Sequence, residues 1–151
     1  FLNTSGLGSY SRNLISALCS NFPESEFFLY TTRTNTDLFS PSFPNVRVCT
    51  PATFMQRKLH QVWRSYGIPK ALVRGGINIY HGLSHELPFL FPADKVKSVV
   101  TIHDLIFLRL PNLYNPFDRA LYKQKTRYAC QKADRIIAIS RQTAKVRTPK
   151  R

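Results

Sequence analysis

Residues 98–104 read Ser-Val-Val-Thr-Ile-His-Asp, a short β-branched run that ends in two polar side chains. A run of about 4–8 apolar residues with polar flanks is typical of a strand that is buried in a sheet. Three more such runs predict buried strands at residues 27–31, 77–80 and 135–139. A weaker run at residues 46–49 is a candidate for a fifth strand.

Helical patterns separate these runs. Apolar residues recur at three- and four-residue spacing over residues 9–22, 55–66 and 116–132, and Gly67 is expected to end the second of these helices. Strand and helix therefore alternate along the chain. This order predicts the α/β class, with a Rossmann-like open parallel sheet and helices on both of its faces.

The chain has 151 residues, about the size of one ordinary domain, so we expect one hydrophobic core. No stretch reaches the roughly 18 apolar residues that a membrane span needs. The three cysteines, Cys19, Cys49 and Cys130, are widely spaced and match neither a disulfide framework nor a zinc motif. Reduced thiols in the cytoplasm are therefore expected.

The charge of the chain is strongly positive and unevenly distributed. Lys and Arg number 22 against 8 Asp and Glu, and the whole excess of 14 lies beyond residue 54. Such a chain suits an anionic partner: nucleic acid, an acidic membrane or a phosphorylated small molecule. No nucleic-acid-binding motif is present, so nucleic acid is not expected as a partner.

The predicted helix over residues 55–66 carries both apolar and basic side chains. Arg57, Lys58 and Arg64 are the candidate membrane-surface residues, because basic amphipathic helices bind anionic lipid surfaces. The alternative is an ordinary helix that faces the core and keeps its basic side in solvent.

Polar side chains follow the predicted strands, where ligands of parallel sheets bind. His103 follows one strand and is suited to donate a hydrogen bond to a sugar hydroxyl or to a carbonyl oxygen; the alternative is a structural histidine. Glu86 follows another, and it either binds substrate hydroxyls or pairs with a nearby Lys or Arg. His81 and His85 lie four apart beside Glu86, but without a third ligand or an H-E-x-x-H order we expect no metal.

Two glycines, Gly6 and Gly8, precede the first predicted helix. Backbone N–H groups at such a position can bind a phosphate. The alternative is a flexible turn before a helix that Ser9 caps.

Four motifs together resemble the N-terminal half of glycosyltransferase family 4. They are SGLGSYSRNL at residues 5–14, IYHGLSHELP at 79–88, VVTIHDL at 99–105 and ADRIIAIS at 133–140. The resemblance covers most of the chain. It implies two Rossmann-like domains and a retaining transfer, hexosyl or mannosyl, from a nucleotide sugar to a glycan or lipid-linked acceptor in cell-surface polysaccharide synthesis. No cofactor or metal is implied.

The resemblance also implies roles for single residues. Gly6 and Gly8 approach the diphosphate of the donor, and His103 contacts the donor sugar as the catalytic-site residue. The family positions that bind the acceptor are less sharply defined; Tyr10, His85 and Glu86 are the candidates, because they adjoin the same predicted crevice. No side chain of the chain is expected to act as a nucleophile.

The family pattern predicts that residues 1–145 are an N-terminal domain without its first strand and that residues 146–151 are an atypical basic tail. The C-terminal nucleotide-sugar-binding domain is expected to be absent, as in a truncated or frame-shifted product, and the chain alone is expected to be inactive. A cytoplasmic location is expected, at or near the inner face of the membrane. The alternative function is a non-catalytic module that binds a phosphorylated or anionic-lipid ligand.

Overall fold

The computed structural model describes residues 4–32, 43–53, 58–59 and 62–145. The chain divides into two compact units, Phe1–Arg64 and Ser65–Arg151, instead of the one core that its length predicts. No helix in these described segments is both long and apolar enough to cross a bilayer.

The first unit begins with helix α1, Gly6–Asn21. It is followed by strands β1, Phe27–Tyr30, and β2, Val46–Cys49, which pair in parallel. The predicted fifth strand is therefore present. Helix α1 begins three residues earlier than predicted, because Ser5 and not Ser9 occupies the N-cap position.

One face of α1 is buried, as its apolar spacing predicts. The buried positions are Gly8, Ser11, Ile15 and Cys19, at intervals of three and four residues. The hydroxyl of Ser11 donates to the carbonyl of Leu7 at 2.8 Å, so this buried polar group is satisfied.

Gly67 does not end a helix. A π-helical turn, Trp63–Gly67, continues directly into helix α2, Ile68–Arg74. The stop comes at Gly75 and Gly76, of which Gly76 has a φ of 62°. A Schellman motif closes the helix here: the N–H of Gly76 donates to Val73 and the N–H of Ile77 to Leu72.

The second unit contains a three-stranded parallel sheet in the order β3-β4-β5. Its strands are β3, Ile79–Gly82; β4, Lys97–Ile102; and β5, Arg135–Ala138. The α/β class and the parallel pairing are confirmed. The described strands belong to two sheets, however, where the sequence predicted one.

Besides α2, the second unit contains four further helical segments among its described residues. They are α3, Ile106–Arg109; a 3₁₀ turn, Pro111–Leu113; α4, Pro116–Lys132; and α5, Arg141–Lys145. Helix α4 has the predicted bounds. The side chain of Asn115 accepts the N–H of Phe117 at 2.9 Å and so caps the helix at its start.

The central strand β4 is the most buried element of the second unit, and Val100 and Thr101 on it have no exposed surface. The core cluster comprises Leu87, Val100, Ile102, Leu105, Phe107 and Ala129. Strand β5 was predicted to be buried, but Ile136 and Ile137 are 49% and 40% exposed. The reason is position: β5 pairs only with β4 among the described strands.

Candidate functional site

The turn after β4 carries His103 and Asp104 at the carboxyl edge of the sheet. His103 is buried, with 8% of its surface exposed. Its Nε2 lies 2.8 Å from the carbonyl oxygen of Leu83, in the loop after β3. Because a carbonyl can only accept, this Nε2 carries the proton and donates it.

The ring of His85 holds the same turn from the other direction. Its Nε2 accepts two backbone hydrogen bonds, from the N–H of His103 at 3.0 Å and from the N–H of Asp104 at 3.2 Å. This atom therefore carries no proton, and the neutral ring has its proton on Nδ1. The rings of His85 and His103 meet edge to face, with 5.6 Å between their centroids.

The loop that presents His85 is closely folded. His85 has a φ of 59°, a backbone conformation that few residues other than glycine adopt, and its N–H donates to the carbonyl of Thr101 at 3.0 Å. At the start of the loop, a Cβ on Gly82 would overlap the carbonyl oxygen of Glu86. Only glycine fits at this position without a shift of the backbone.

Glu86 forms an ion pair with Lys125 of helix α4, at 3.0 Å between Nζ and Oε2. Both side chains are mostly buried, with 28% and 26% of their surfaces exposed. The pairing of this loop acid with a basic residue, which the sequence left open as an alternative, is observed. It anchors the loop after β3 to α4.

His81 lies within β3, not after it, because the strand extends two residues beyond its predicted end. Its Nε2 is 2.8 Å from the hydroxyl of the buried Thr101 on β4. Burial lowers the pKa of His81. Burial is also the main cause that lowers the pKa of His85, and the nearby His103 adds to it while Asp104 opposes it.

Helix α5, which follows β5, contacts the same edge through Thr143. The hydroxyl of Thr143 donates to the carbonyl of His103 at 3.2 Å. The Oγ of Ser140 accepts the N–H of Thr143 at 3.1 Å, which caps the start of α5. Thr143 was not predicted to lie at this edge, because it lies three residues beyond the motif that ends at Ser140.

The remaining predicted residues of the donor and acceptor sites lie in the first unit. The N–H of Gly8 donates to the carbonyl of Ser5 at 2.9 Å, so it is already used within the first turn of α1. A Cβ on Gly6 would meet no atom within 4 Å. Tyr10 is half-buried on the same helix.

The basic residues proposed for a membrane surface are only partly described. Lys58 and Arg64 are exposed, whereas Arg57 lies outside the described residues. Over the segments 4–32, 43–53, 58–59 and 62–145, no group of three His, Cys, Asp or Glu side chains is placed to hold a metal ion.

The family model of Glycosyltransferase Family 4 matches residues 4–146 of the chain. The chain belongs to glycosyltransferase family 4. No curated protein and no solved structure matches it. The match runs through both units and includes all four motifs from which the resemblance was predicted.

Membership of family 4 confirms a glycosyltransferase-type function, whose substrates in general are a nucleotide-sugar donor and an acceptor. The structure brings His103, His85 and the loop of Glu86 together at one sheet edge. Gly6, Gly8 and Tyr10 belong to the other unit.

Proposed function

We propose that this family 4 chain takes part in a retaining transfer of a hexose, such as mannose, from a nucleotide sugar to a glycan or lipid-linked acceptor. The product would belong to a cell-surface polysaccharide. The observation that carries the proposal is His103, a buried histidine whose Nε2 is a hydrogen-bond donor at the end of the central strand of a family 4 domain.

In this proposal His103 binds and orients the donor sugar. An imidazole N–H can donate to a hydroxyl as well as to a carbonyl, so a sugar hydroxyl can replace the carbonyl of Leu83 as its acceptor. His103 does not attack the sugar, because its Nε2, the atom proposed to contact the sugar, carries a proton and has no lone pair to offer. Its contribution is to position the donor and stabilise charge that develops during transfer.

Gly6 is the donor-phosphate residue that the geometry favours over Gly8, since the N–H of Gly8 is already bonded to Ser5. For the acceptor we propose Tyr10, Glu86 and His85. Of these, His85 can offer only its Nδ1–H, because its Nε2 is engaged by two backbone groups.

We also propose that the nucleotide of the donor is held mainly by a second family 4 domain and that no metal is needed. The test is a transfer assay on this chain alone and on the same sequence extended into a two-domain enzyme. Activity is expected only in the two-domain form. We expect His103→Ala to lower its kcat by about 100-fold or more, as the loss of an active-site hydrogen-bond donor does in other enzymes.

His103→Gln is the matched variant in that assay, because its amide keeps a hydrogen-bond donor close to the position of Nε2. It should retain more activity than His103→Ala. Full activity in both variants would contradict the role of His103. Transfer by the chain alone would show that the donor site lies within these 151 residues.

We further propose that Arg57, Lys58 and Arg64 bind the inner face of the cell membrane, where a lipid-linked acceptor would be located. Basic side chains near an anionic surface contribute about 1 kcal/mol each. Reversal of these three charges to Glu should weaken sedimentation with vesicles that contain anionic lipid. Unchanged sedimentation would refute this surface.

A non-catalytic binding module is the second candidate function. The excess of 14 positive charges favours it, because such a surface attracts phosphorylated or anionic-lipid ligands whether or not transfer occurs. The two-domain assay separates the candidates. Salt-sensitive binding of nucleotide sugar or vesicles without any transfer would favour the binding module.

A further inference from the structure

We propose that His85 is a positioning residue of this site, whose neutral ring fixes the turn that carries His103 and releases that turn when the ring is protonated. This inference deepens the proposed function and rests on it for its catalytic consequence. The structural part concerns one side chain and two backbone groups, and it can be tested separately.

The hydrogen bonds themselves give the first argument. A neutral imidazole has one unprotonated nitrogen, and in His85 this atom receives the N–H groups of both His103 and Asp104. The ring thus acts as the hydrogen-bond acceptor for the two backbone N–H groups that follow the end of β4. Without it, two backbone donors at a mostly buried position would lose their acceptor.

The backbone of His85 gives the second argument. Its φ of 59° is unfavourable for a residue with a Cβ, and its N–H is bonded to the carbonyl of Thr101 on β4. The loop therefore adopts a costly conformation whose effect is to bring the ring to the end of β4. Strained residues of this kind concentrate at functional sites.

Protonation reverses the interaction. An imidazolium carries a hydrogen on both nitrogens. The N–H at Nε2 would then face the N–H groups of His103 and Asp104, and both hydrogen bonds would be lost. The charged and titratable groups that act on the ring are Asp104, which favours the charged form, and His103, which disfavours it. Burial is the larger effect and lowers the pKa of His85, in agreement with a ring that is neutral near pH 7.

Release of the turn would move His103. The peptide N–H of His103 is one of the two groups that His85 holds, while the ring of His103 is bonded to Leu83 in the same loop as His85. The carbonyl of His103 also accepts the hydroxyl of Thr143 at 3.2 Å, and this contact does not replace the acceptor that the N–H groups of the turn would lose. The imidazole of His103 would then no longer be fixed relative to a donor sugar.

The experiment uses the full chain and three variants, and it follows the amides of His103 and Asp104 by NMR between about pH 8 and pH 5. His85→Leu removes the acceptor, and His85→Gln keeps an acceptor oxygen near the position of Nε2 that cannot be protonated in this range. Both variants share the backbone cost of a positive φ. His81→Gln is the control, because it removes a different titrating histidine, whose ring is hydrogen bonded to the hydroxyl of Thr101.

In the unsubstituted chain, both amides should lose exchange protection together as the pH falls, with the midpoint at which the ring of His85 titrates. His85→Gln should keep the protection down to pH 5. His85→Leu should lower it by about tenfold at every pH, the effect expected from loss of a buried hydrogen bond. Circular dichroism of each variant establishes whether it is folded.

The proposal is overturned if the two amides are equally protected in His85→Leu, or if their pH dependence does not follow the ring of His85. Should His85→Leu not fold, the pH titration of the unsubstituted chain and of His85→Gln still decides the question. In the two-domain enzyme, kcat should fall with the same midpoint, and His85→Gln should remove that fall. If the protection of the two amides follows the titration of His85 but the two-domain enzyme transfers no sugar, the proposed function is refuted and the positioning role of His85 is retained.

Discussion

Gly82 is the residue at which the loop after β3 is most sensitive to an added atom. A Cβ there would overlap the backbone oxygen of Glu86, and a backbone neighbour cannot rotate away as a side chain can. We expect Gly82→Ala to lower the free energy of unfolding by about 1–3 kcal/mol, as overpacking does elsewhere. Urea unfolding measures this difference.

Gly6→Ala is the matched control, because a Cβ on Gly6 would meet nothing within 4 Å. Alanine is a better helix former than glycine by roughly 0.5–1 kcal/mol, so this variant should be at least as stable as the unsubstituted chain. If Gly82→Ala were equally stable, the closure of the loop around Glu86 would be wrong.

Two half-buried histidines, His81 and His85, lead us to expect a loss of stability in mild acid. The pKa of His81 and the pKa of His85 are both lowered by burial. Below the ordinary histidine pKa of about 6.5, the unfolded chain therefore binds protons that the folded chain does not bind. The stabilisation is complete above that pH and is lost as the pH falls, which urea unfolding at a series of pH values should show.

Asp134 contributes a separate step at lower pH. The backbone N–H of Ser98 is the main cause that lowers the pKa of Asp134, and the Ser98 hydroxyl and Lys97 act in the same direction. Its stabilisation is present above the ordinary pKa of 3.8 and is lost as the pH falls through the folded value. Asp134→Asn should remove only this lower step, and His85→Gln should reduce only the upper one. The interpretation fails if each variant has the same pH profile as the unsubstituted chain.

At the scale of elements, the end of α2 depends on one glycine. Gly76 has a φ of 62° within the Schellman motif, a conformation that costs a residue with a Cβ about 1–2 kcal/mol. Gly76→Ala should lower the free energy of unfolding by that amount. Gly76→Asn should cost less, because asparagine tolerates the left-handed region better. Equal costs for the two variants would show that the φ of Gly76 is not what matters.

The sequence predicts the ends of a helix or strand well where residues within or next to that element determine them. Helix α4 has its predicted bounds, because Asn115 and Pro116 supply the cap and the first turn within the segment itself. Strand β3 ends two residues later than predicted, because its extent is set by pairing with β4, up to Gly82 opposite Val100. The exposure of β5 was not predicted for the same reason, since the residues of a strand do not determine its position within the sheet.

The candidate site shows the same limit. The motifs placed His85 and His103 after two predicted strands, and the structure shows that these strands are neighbours and that the two rings are in contact. The atom that His85 uses depends on its positive φ, and nothing in the sequence indicates that φ for a histidine. Lys125 was missed as the partner of Glu86, because 39 residues separate the two along the chain.

At the scale of the whole molecule, the excess of 14 positive charges should make stability depend on salt. Ion pairs within the described residues offset little of the repulsion among these charges. Examples are Arg47 with Glu26, Lys97 with Asp134, and Lys125 with Glu86. Both members of the first pair and the lysine of the second are more than half exposed, and exposed pairs contribute about 0–1 kcal/mol each. Repulsion among the unbalanced charges should therefore be the larger effect.

We expect the midpoint of thermal unfolding at pH 7 to rise when NaCl is increased from about 10 mM to about 300 mM, because the Debye length shortens from about 30 Å to below 10 Å. A gain of about 1 kcal/mol corresponds to about 2–4 °C for a chain near this size. Lys123 and Arg127 are exposed on α4 and supply the matched test. Their replacement by Gln should raise the midpoint at low salt and reduce the salt response, because it removes two charges from the excess. A midpoint that falls with added salt would show instead that attractive pairs dominate, and the basic surface would then be a stabilising part of the fold and not a surface left for an anionic partner.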